Sequence, residues 1–390
     1  MLSKKIDSIQ ISGIRKFYNK VAEVDGAISL TLGEPDFKIP IEVKEAMKRA
    51  IDEDKTTYTP NAGIMPLREE ISKYLNSLGI DFSKEEICIT VGGSEGLLST
   101  FMAILNEEDK VLLPSIAYPA YESCINIVGG KAINYNLNDD LSINISNIKE
   151  LIKENKPKAI VISYPSNPTG SIMTKSECTE LFKVLKDEDI LIISDEIYSS
   201  IIFEDYNSIS MYSELRNKLI FIGGFSKMFS MTGIRIGYVC AQQSILDNII
   251  KVHQYNVSCA PSIGQYGALE GLKKSMYHIE YIKEDLKLRR DYVYERLINM
   301  GLKTVKPKGA FYIFPSIADF GMSSDEFCER LLREAKVAVV PGSAFGSGGE
   351  GYIRISYCYS MNQLILALDL MEKWIRDLRK ANKDKKCYEN

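Results

Sequence analysis

Along the chain, short apolar runs alternate with stretches in which apolar residues recur every three or four positions. The runs "EICITV" (86–91), "KVLLP" (110–114), "KAIVISYP" (158–165), "ILIISDE" (190–196), "KLIFIGG" (218–224) and "RIGYVC" (235–240) read as buried strands. Between them, "SEGLLSTFMAILN" (94–106) and "TKSECTELFKVLKD" (174–187) carry the helical period. Apolar strands separated by helices predict an α/β fold, a mostly parallel sheet covered on both faces. Such a sheet binds ligands beyond the carboxyl ends of its strands.

After residue 240 the pattern changes. A long helical region covers about 243–300, followed by strand-like "AFYIFP" (310–315), "VAVVP" (337–341) and "YIRISY" (352–357), and closing helices near 361–380. This predicts a smaller α+β unit. With 390 residues, the chain exceeds one typical core. The expected division is a large domain over 45–285 and a small domain built from 286–390 with the N-terminal segment 1–44. That segment precedes the sheet and is expected to pack with it.

Composition mostly excludes. Hydrophobic content of 45%, charged content of 26% and a formal net charge of −4 are ordinary. They give no reason to expect a nucleic-acid or membrane-surface partner. No apolar run approaches membrane-spanning length, and "MLSKKIDSIQISGIRKF" lacks the apolar centre of a signal peptide. The basic tail "RKANKDKK" reads as a solvated helix end. Eight cysteines (88, 124, 178, 240, 259, 328, 358 and 387) are scattered without a CxxC pair, which predicts reduced thiols in a cytoplasm and no metal site. Only two histidines occur, His253 and His278, neither in a ligand spacing nor beside a candidate nucleophile. Proton chemistry therefore falls to another group.

Several stretches carry candidate chemistry. In "VGGSEGLL" (91–98) a strand runs through two glycines into a helix, whose first N–H groups can hold an anion. The plainer reading is an ordinary turn with Ser94 as N-cap. "GSGGEG" (346–351) matches GxGxxG but leads into a strand, so it reads as a flexible surface loop. "VISYPSNPTGSI" (161–172) ends a strand abruptly and presents Asn167 at the sheet's edge, or simply uses asparagine as a turn former. "ISDEIYSS" (193–200) sets Asp195 at a strand end, where a carboxylate needs a cation or hydrogen bonds, with Tyr198 three residues on. In "GGFSKMFSMTGIRIGY" (223–238), Lys227 lies among small residues and hydroxyls, with Arg235 eight positions later. A lysine of depressed pKa forms Schiff bases, an arginine with a helix N-terminus grips phosphate, and a buried aspartate holds a proton on a pyridine nitrogen. These are the protein groups that pyridoxal 5′-phosphate needs.

Over essentially its full length the chain resembles the class I/II aminotransferases of the fold-type I pyridoxal-phosphate enzymes. The family's lysine motif stands as "GFSKMFSMTGIRIG", and "SLTLGEPDF", "YTPNAG", "YPSNPTG", "SDEIY", "KGAFYIFP" and "YIRIS" follow the family's order. "QISGIRKF" and "KVHQYNVSCAPSIGQ" resemble the bacterial branch that transaminates N-acetyl-LL-diaminopimelate in lysine biosynthesis.

The resemblance implies a transaminase working on an amino acid and a 2-oxo acid such as 2-oxoglutarate. It implies that Lys227 is the Schiff-base lysine and later shuttles a proton between substrate Cα and cofactor. It pairs Asp195 with the pyridine nitrogen and sets Asn167 and Tyr198 on the phenolic oxygen. It places the phosphate on the backbone of Gly93, Ser94 and Glu95 with Ser226 and Arg235, and stacks Tyr118 on the ring. It gives the substrate carboxylate to Arg354, with Gly33 and Asn167. It sends Tyr58 to a neighbouring subunit's phosphate, hence a homodimer with shared sites. Two departures stand out: Gly224 where relatives often carry a phosphate-contacting serine, and no arginine in "QYNVSC" (254–259), which disfavours simple aspartate specificity. The alternatives are an aspartate or aromatic aminotransferase, a carbon–sulfur β-lyase with nearly the same site, or, far behind, a regulator using the fold to bind ligands.

Overall fold

The computed structural model describes residues 4–7, 9 and 13–388. The start of "QISGIRKF" (10–12) lies outside the described residues, as do the side chains of 382–388. The solvation expected for most of the basic tail, and the thiol of Cys387, are therefore not described.

Seven strands form the central sheet, in the order Ile87–Thr90, Gly237–Ala241, Leu219–Gly224, Leu191–Asp195, Ala159–Ser163, Lys110–Pro114 and Lys131–Tyr135. Gly237–Ala241 runs antiparallel to both neighbours, and the other neighbouring pairs are parallel. The six predicted strands are present; Lys110–Pro114 matches its run, and the other five are shifted or trimmed at their ends. The seventh, "KAINY", was not anticipated. It lies at the edge, mostly half-exposed or exposed, so its composition carries no apolar run.

The apolar runs form strands here because both faces are covered. Ile160, Ile192 and Phe221 enter one core, while Val161, Ile193 and Val239 enter another across the sheet. Helices Met65–Ser77 and Ser262–Lys274 cover the first face through Leu67, Ile71 and Ala268. Helices Gly92–Ile104 and Gln243–Asn256 cover the second through Leu97, Phe101 and Leu246. Each fully buried Leu, Ile or Phe contributes about 1.5–3 kcal/mol. Helix Lys175–Leu185 starts at a capping box in which Thr174 and Glu177 bond each other's backbone N–H.

A further core joins Phe17 and Leu30 to residues beyond 280, among them Leu286, Phe327, Ile355 and Leu368. The N-terminal Ile28–Ser29 pairs in parallel with Val337–Ala338 and not with the large sheet, because its apolar partner Leu30 packs in this further core. Strands Val340–Pro341, Ile353–Ser356 and Tyr312–Ile313 form a small antiparallel sheet beside it. The helical region after 240 resolves into Gln243–Asn256, Ser262–Lys274 and Tyr277–Asn299, and the chain closes with one helix, Met361–Tyr388, instead of several. Helix Tyr277–Asn299 passes between cores, with Ile279 in the one that holds Ile160 and Ile282 in the one that holds Leu286.

The 346–351 stretch is followed by a strand, as its order suggested, but it is not a free surface loop. The Gly348 N–H donates to Ser115 O at 3.0 Å, Ala117 N–H donates to Phe345 O at 2.8 Å, and Gly349 is buried. These bonds dock it on the chain just before Tyr118.

Candidate active site

A cavity of about 640 Å³ opens at the carboxyl ends of the large sheet, walled on its far side by the N-terminal segment with Tyr312 and Arg354. Of the site residues that the resemblance implies, all but Glu95 and Tyr58 line it. Tyr58 is 87% exposed in the single chain. The Glu95 carboxylate points elsewhere, towards His253.

Strand Leu219–Gly224 runs into the four-residue helix Phe225–Met228, which sets Lys227 over the cavity. Its Nζ donates to the carbonyl of Gly33 and lies 5.8 Å from the Tyr198 ring centroid and 5.7 Å from that of Phe311. Burial drives this amine down from 10.5 to about 8. A useful fraction is thus neutral near physiological pH.

Asp195 ends the neighbouring strand. Its Oδ2 accepts from the Tyr121 phenol at 2.7 Å and its Oδ1 from the Ile197 N–H at 3.2 Å. Burial raises its proton affinity against those two bonds, and no salt bridge reaches it among the described residues. A buried carboxylate in that condition suits a cationic N–H.

Helix Gly92–Ile104 starts two residues before Ser94, with Val91 as its N-cap residue and no side-chain cap. Ser94 is therefore not the cap; it lies inside the first turn. Gly92 adopts φ +71°, and a Cβ there would fall 2.4 Å from Nη2 of Arg235. Only glycine lets the guanidinium close over this turn. Arg235 itself has φ 63°, and its Nη1 donates to Thr232 O at 2.8 Å.

Arg354 is 1% exposed, with its guanidinium carbon 4.4 Å from the Tyr312 ring centroid and 4.8 Å from that of Phe345. Nη1 donates to Asn167 Oδ1 at 2.9 Å and Nη2 to the Thr31 carbonyl, while Nε has no partner. Among the described residues no carboxylate forms a salt bridge with it. Gly224, flagged for its missing hydroxyl, is packed tight: a Cβ would meet Ile197 Cδ1 at 2.8 Å and Gly237 Cα at 3.1 Å. It does not line the cavity.

Sequence reasoning overlooked Tyr121 and Tyr312. The Tyr121 oxygen also lies 2.8 Å from Ser163 Oγ, whose hydroxyl is left to donate to it, and the position of Tyr121 three residues after Tyr118 on helix Ala120–Val128 was the available signal. The hydroxyls of Tyr312 and Tyr198 lie 2.7 Å apart, an encounter across 114 positions that no local pattern announces.

This arrangement agrees with comparisons against known proteins. The family model described as "Aminotransferase class I and II" matches residues 25–369. The chain belongs to the class I and II aminotransferases. It is 45% identical to a probable N-acetyl-LL-diaminopimelate aminotransferase of Bacillus subtilis, covering 98% of this chain and 97% of that one. It is 40% identical to an aspartate aminotransferase of Pyrococcus abyssi, covering 96% and 98%. The crystal structure of an aromatic aminotransferase from Pyrococcus horikoshii superposes with a TM-score of 0.88 at 38% identity, over 93% of this chain and 99% of that one. This aminotransferase is accordingly a pyridoxal-phosphate enzyme of fold type I. The residues present fit that cofactor. The cavity offers one buried amine of lowered pKa, one buried carboxylate without a cation, and an arginine closed over a glycine turn at a helix start.

Proposed function

We propose that this cavity is where the aminotransferase moves an amino group from an L-amino acid to a 2-oxo acid, with N-acetyl-LL-diaminopimelate as the amino donor or product. The observation that carries the site assignment is the buried Lys227 amine facing the Gly33 carbonyl, with Asp195 and Arg354 on the same cavity. Pyridoxal 5′-phosphate, when bound, supplies an aldehyde that takes up amino groups and a ring that spreads the charge left when Cα loses a proton. The protein's own groups do the rest. Lys227, neutral above about pH 8, takes the proton from Cα and returns it on the other side of the reaction. Asp195 would accept the ring N–H when the cofactor is bound, and Tyr121 keeps its carboxylate oriented. Arg235, Ser94, Ser226 and the first turn of helix Gly92–Ile104 hold the phosphate. Asn167, whose Oδ1 is committed to Arg354, turns its amide N–H towards the cavity, with the Tyr198 hydroxyl, 2.7 Å from that of Tyr312, beside it. Tyr118 covers the ring. Arg354 receives the α-carboxylate with its guanidinium on the cavity wall.

The N-acetyl-LL-diaminopimelate reading is supported by the 45% identity to the probable N-acetyl-LL-diaminopimelate aminotransferase of Bacillus subtilis, and a place in lysine biosynthesis would follow from it. A second reading, an aromatic donor, is favoured by the apolar side chains of Ile14, Tyr18 and Leu32 on the cavity wall. The exposed Tyr58 supports a homodimer that completes each site with the neighbour's tyrosine. The unpaired thiols described support a cytoplasmic setting. Residues 45–285 would act as the cofactor domain, with 1–44 and 286–390 carrying Arg354 as the smaller one.

The test is a panel of amino donors with 2-oxoglutarate on the cofactor-loaded protein, including N-acetyl-LL-diaminopimelate, aspartate and phenylalanine. The highest kcat/KM on the acylated diamino acid supports the reading; a clear preference for phenylalanine replaces it with the second. Release of pyruvate from a cysteine conjugate without any acceptor would favour lyase chemistry instead.

A further inference from the structure

Glu95 lies in the first turn of helix Gly92–Ile104, yet its carboxylate turns away from the cavity. Oε2 accepts the Val91 N–H at 3.0 Å, and Oε1 accepts the Ser99 hydroxyl at 2.5 Å. Both oxygens lie 3.1–3.2 Å from Nδ1 of His253. On the other side of the ring, Nε2 lies 3.0 Å from the carbonyl oxygen of Asn61. A carbonyl only accepts, and a carboxylate holding two other donors accepts as well, so both ring nitrogens donate. The histidine is fully buried, and with both ring nitrogens donating it faces the carboxylate as a cation. Burial pushes the Glu95 carboxyl up, but the bonds from His253 and Ser99 bring it below its ordinary value.

The pair joins three segments: the turn after strand Ile87–Thr90, helix Gln243–Asn256, and the loop 58–63. That loop is pinned further by Asn61 Nδ2 to Ser258 O at 2.7 Å and by the buried Gln265, which donates to Thr59 Oγ1 at 3.0 Å. The Val91 N–H captured by Glu95 immediately precedes Gly92, the residue whose left-handed conformation lets Arg235 close in. A carboxylate one residue beyond Ser94 would otherwise repel a phosphate dianion at short range through a medium that screens poorly.

We propose that Glu95 and His253 are positioning residues for the cofactor's phosphate. Glu95 holds the Val91–Ser94 turn in the shape that meets Arg235, and His253 cancels the charge Glu95 would otherwise present to the phosphate. Neither side chain touches the cofactor. The proposal rests on the reading of this turn as the phosphate site.

The experiment titrates the cofactor-free protein with pyridoxal 5′-phosphate and with pyridoxal, which lacks the phosphate, following absorbance. The quantity read is the ratio of the two dissociation constants. His253→Gln leaves the carboxylate unpaired and lowers the preference for the phosphorylated form about tenfold, with pyridoxal binding unchanged. The double variant Glu95→Gln/His253→Gln removes the uncompensated charge and recovers most of the preference, an outcome that a merely structural role would not give. Equal loss for both ligands, or a double variant worse than the single one, overturns the proposal. Arg235→Met tests the underlying reading: if it leaves the preference intact, the turn is not the phosphate site. If Arg235→Met lowers the preference while His253→Gln does not, only the present proposal falls. Should His253→Gln fail to fold, Ser99→Ala removes one donor to Glu95, and an unchanged preference there also overturns it.

Discussion

The phenol of Tyr121 donates to Oδ2 of Asp195 at 2.7 Å, on the side of the carboxylate away from the Ile197 N–H that bonds Oδ1. Burial raises the proton affinity of Asp195, and these two bonds oppose it. Tyr121→Phe removes one of them, so Asp195 stays protonated to a higher pH. The acid limb of the kcat/KM profile is expected to move up by roughly one unit, from the worth of a hydrogen bond to a charged group. An unmoved limb would separate Tyr121 from the tuning of Asp195.

Lys227 titrates near 8 in the cofactor-free fold against 10.5 for an ordinary lysine. Between those values the unfolded chain holds a proton that the folded one does not, so stability rises with pH across that window. Below about 8 both forms are protonated and the penalty of the buried charge is fully present. Urea unfolding of the cofactor-free protein is expected to show a gain on the order of 3 kcal/mol between pH 8 and 10.5 relative to Lys227→Met. The same variant should lose transamination by at least about 10²-fold.

Arg354→Lys keeps a charge but loses the planar fork. An ammonium cannot hold Asn167, the Thr31 carbonyl and an incoming carboxylate in their present directions. The KM for every amino donor should rise about tenfold or more, whatever its side chain, because the α-carboxylate is common to all. A change confined to one donor would place Arg354 at the side-chain end of the pocket.

Glu196, next to Asp195, is buried and accepts hydroxyls from Ser194, Ser208, Ser210 and Tyr206. It anchors the 206–210 segment to the strand end and does not line the cavity. Glu196→Ala strands the three buried serine hydroxyls and the half-buried Tyr206 phenol and should cost about 3 kcal/mol in chemical denaturation. Substrate KM should stay close to the parent value.

The site was legible in sequence wherever one strand end carries its own chemistry. Asp195, Asn167 and Lys227 each follow an apolar run directly, so topology alone gathers them. What escaped is contact between distant segments. His253 meets Glu95 across 158 positions, and Tyr198 meets Tyr312 across 114. No periodicity links such pairs. The edge strand Lys131–Tyr135 escaped for a different reason: it needs no apolar run because solvent covers part of it. Ser94 was misplaced as an N-cap because Gly92, through its positive φ, allows the helix to begin two residues sooner.

Arg354 already holds Asn167 by its oxygen. An amide has two unlike ends, and nothing about residue 167 alone decides which one faces inward. The arginine decides it: with the oxygen taken, only the N–H₂ end is left for the cavity. The polarity of that wall is thus lent from a strand 187 residues away. Removing Arg354 would free the amide to turn over, so a single lost arginine can exchange a donor for an acceptor at a second position.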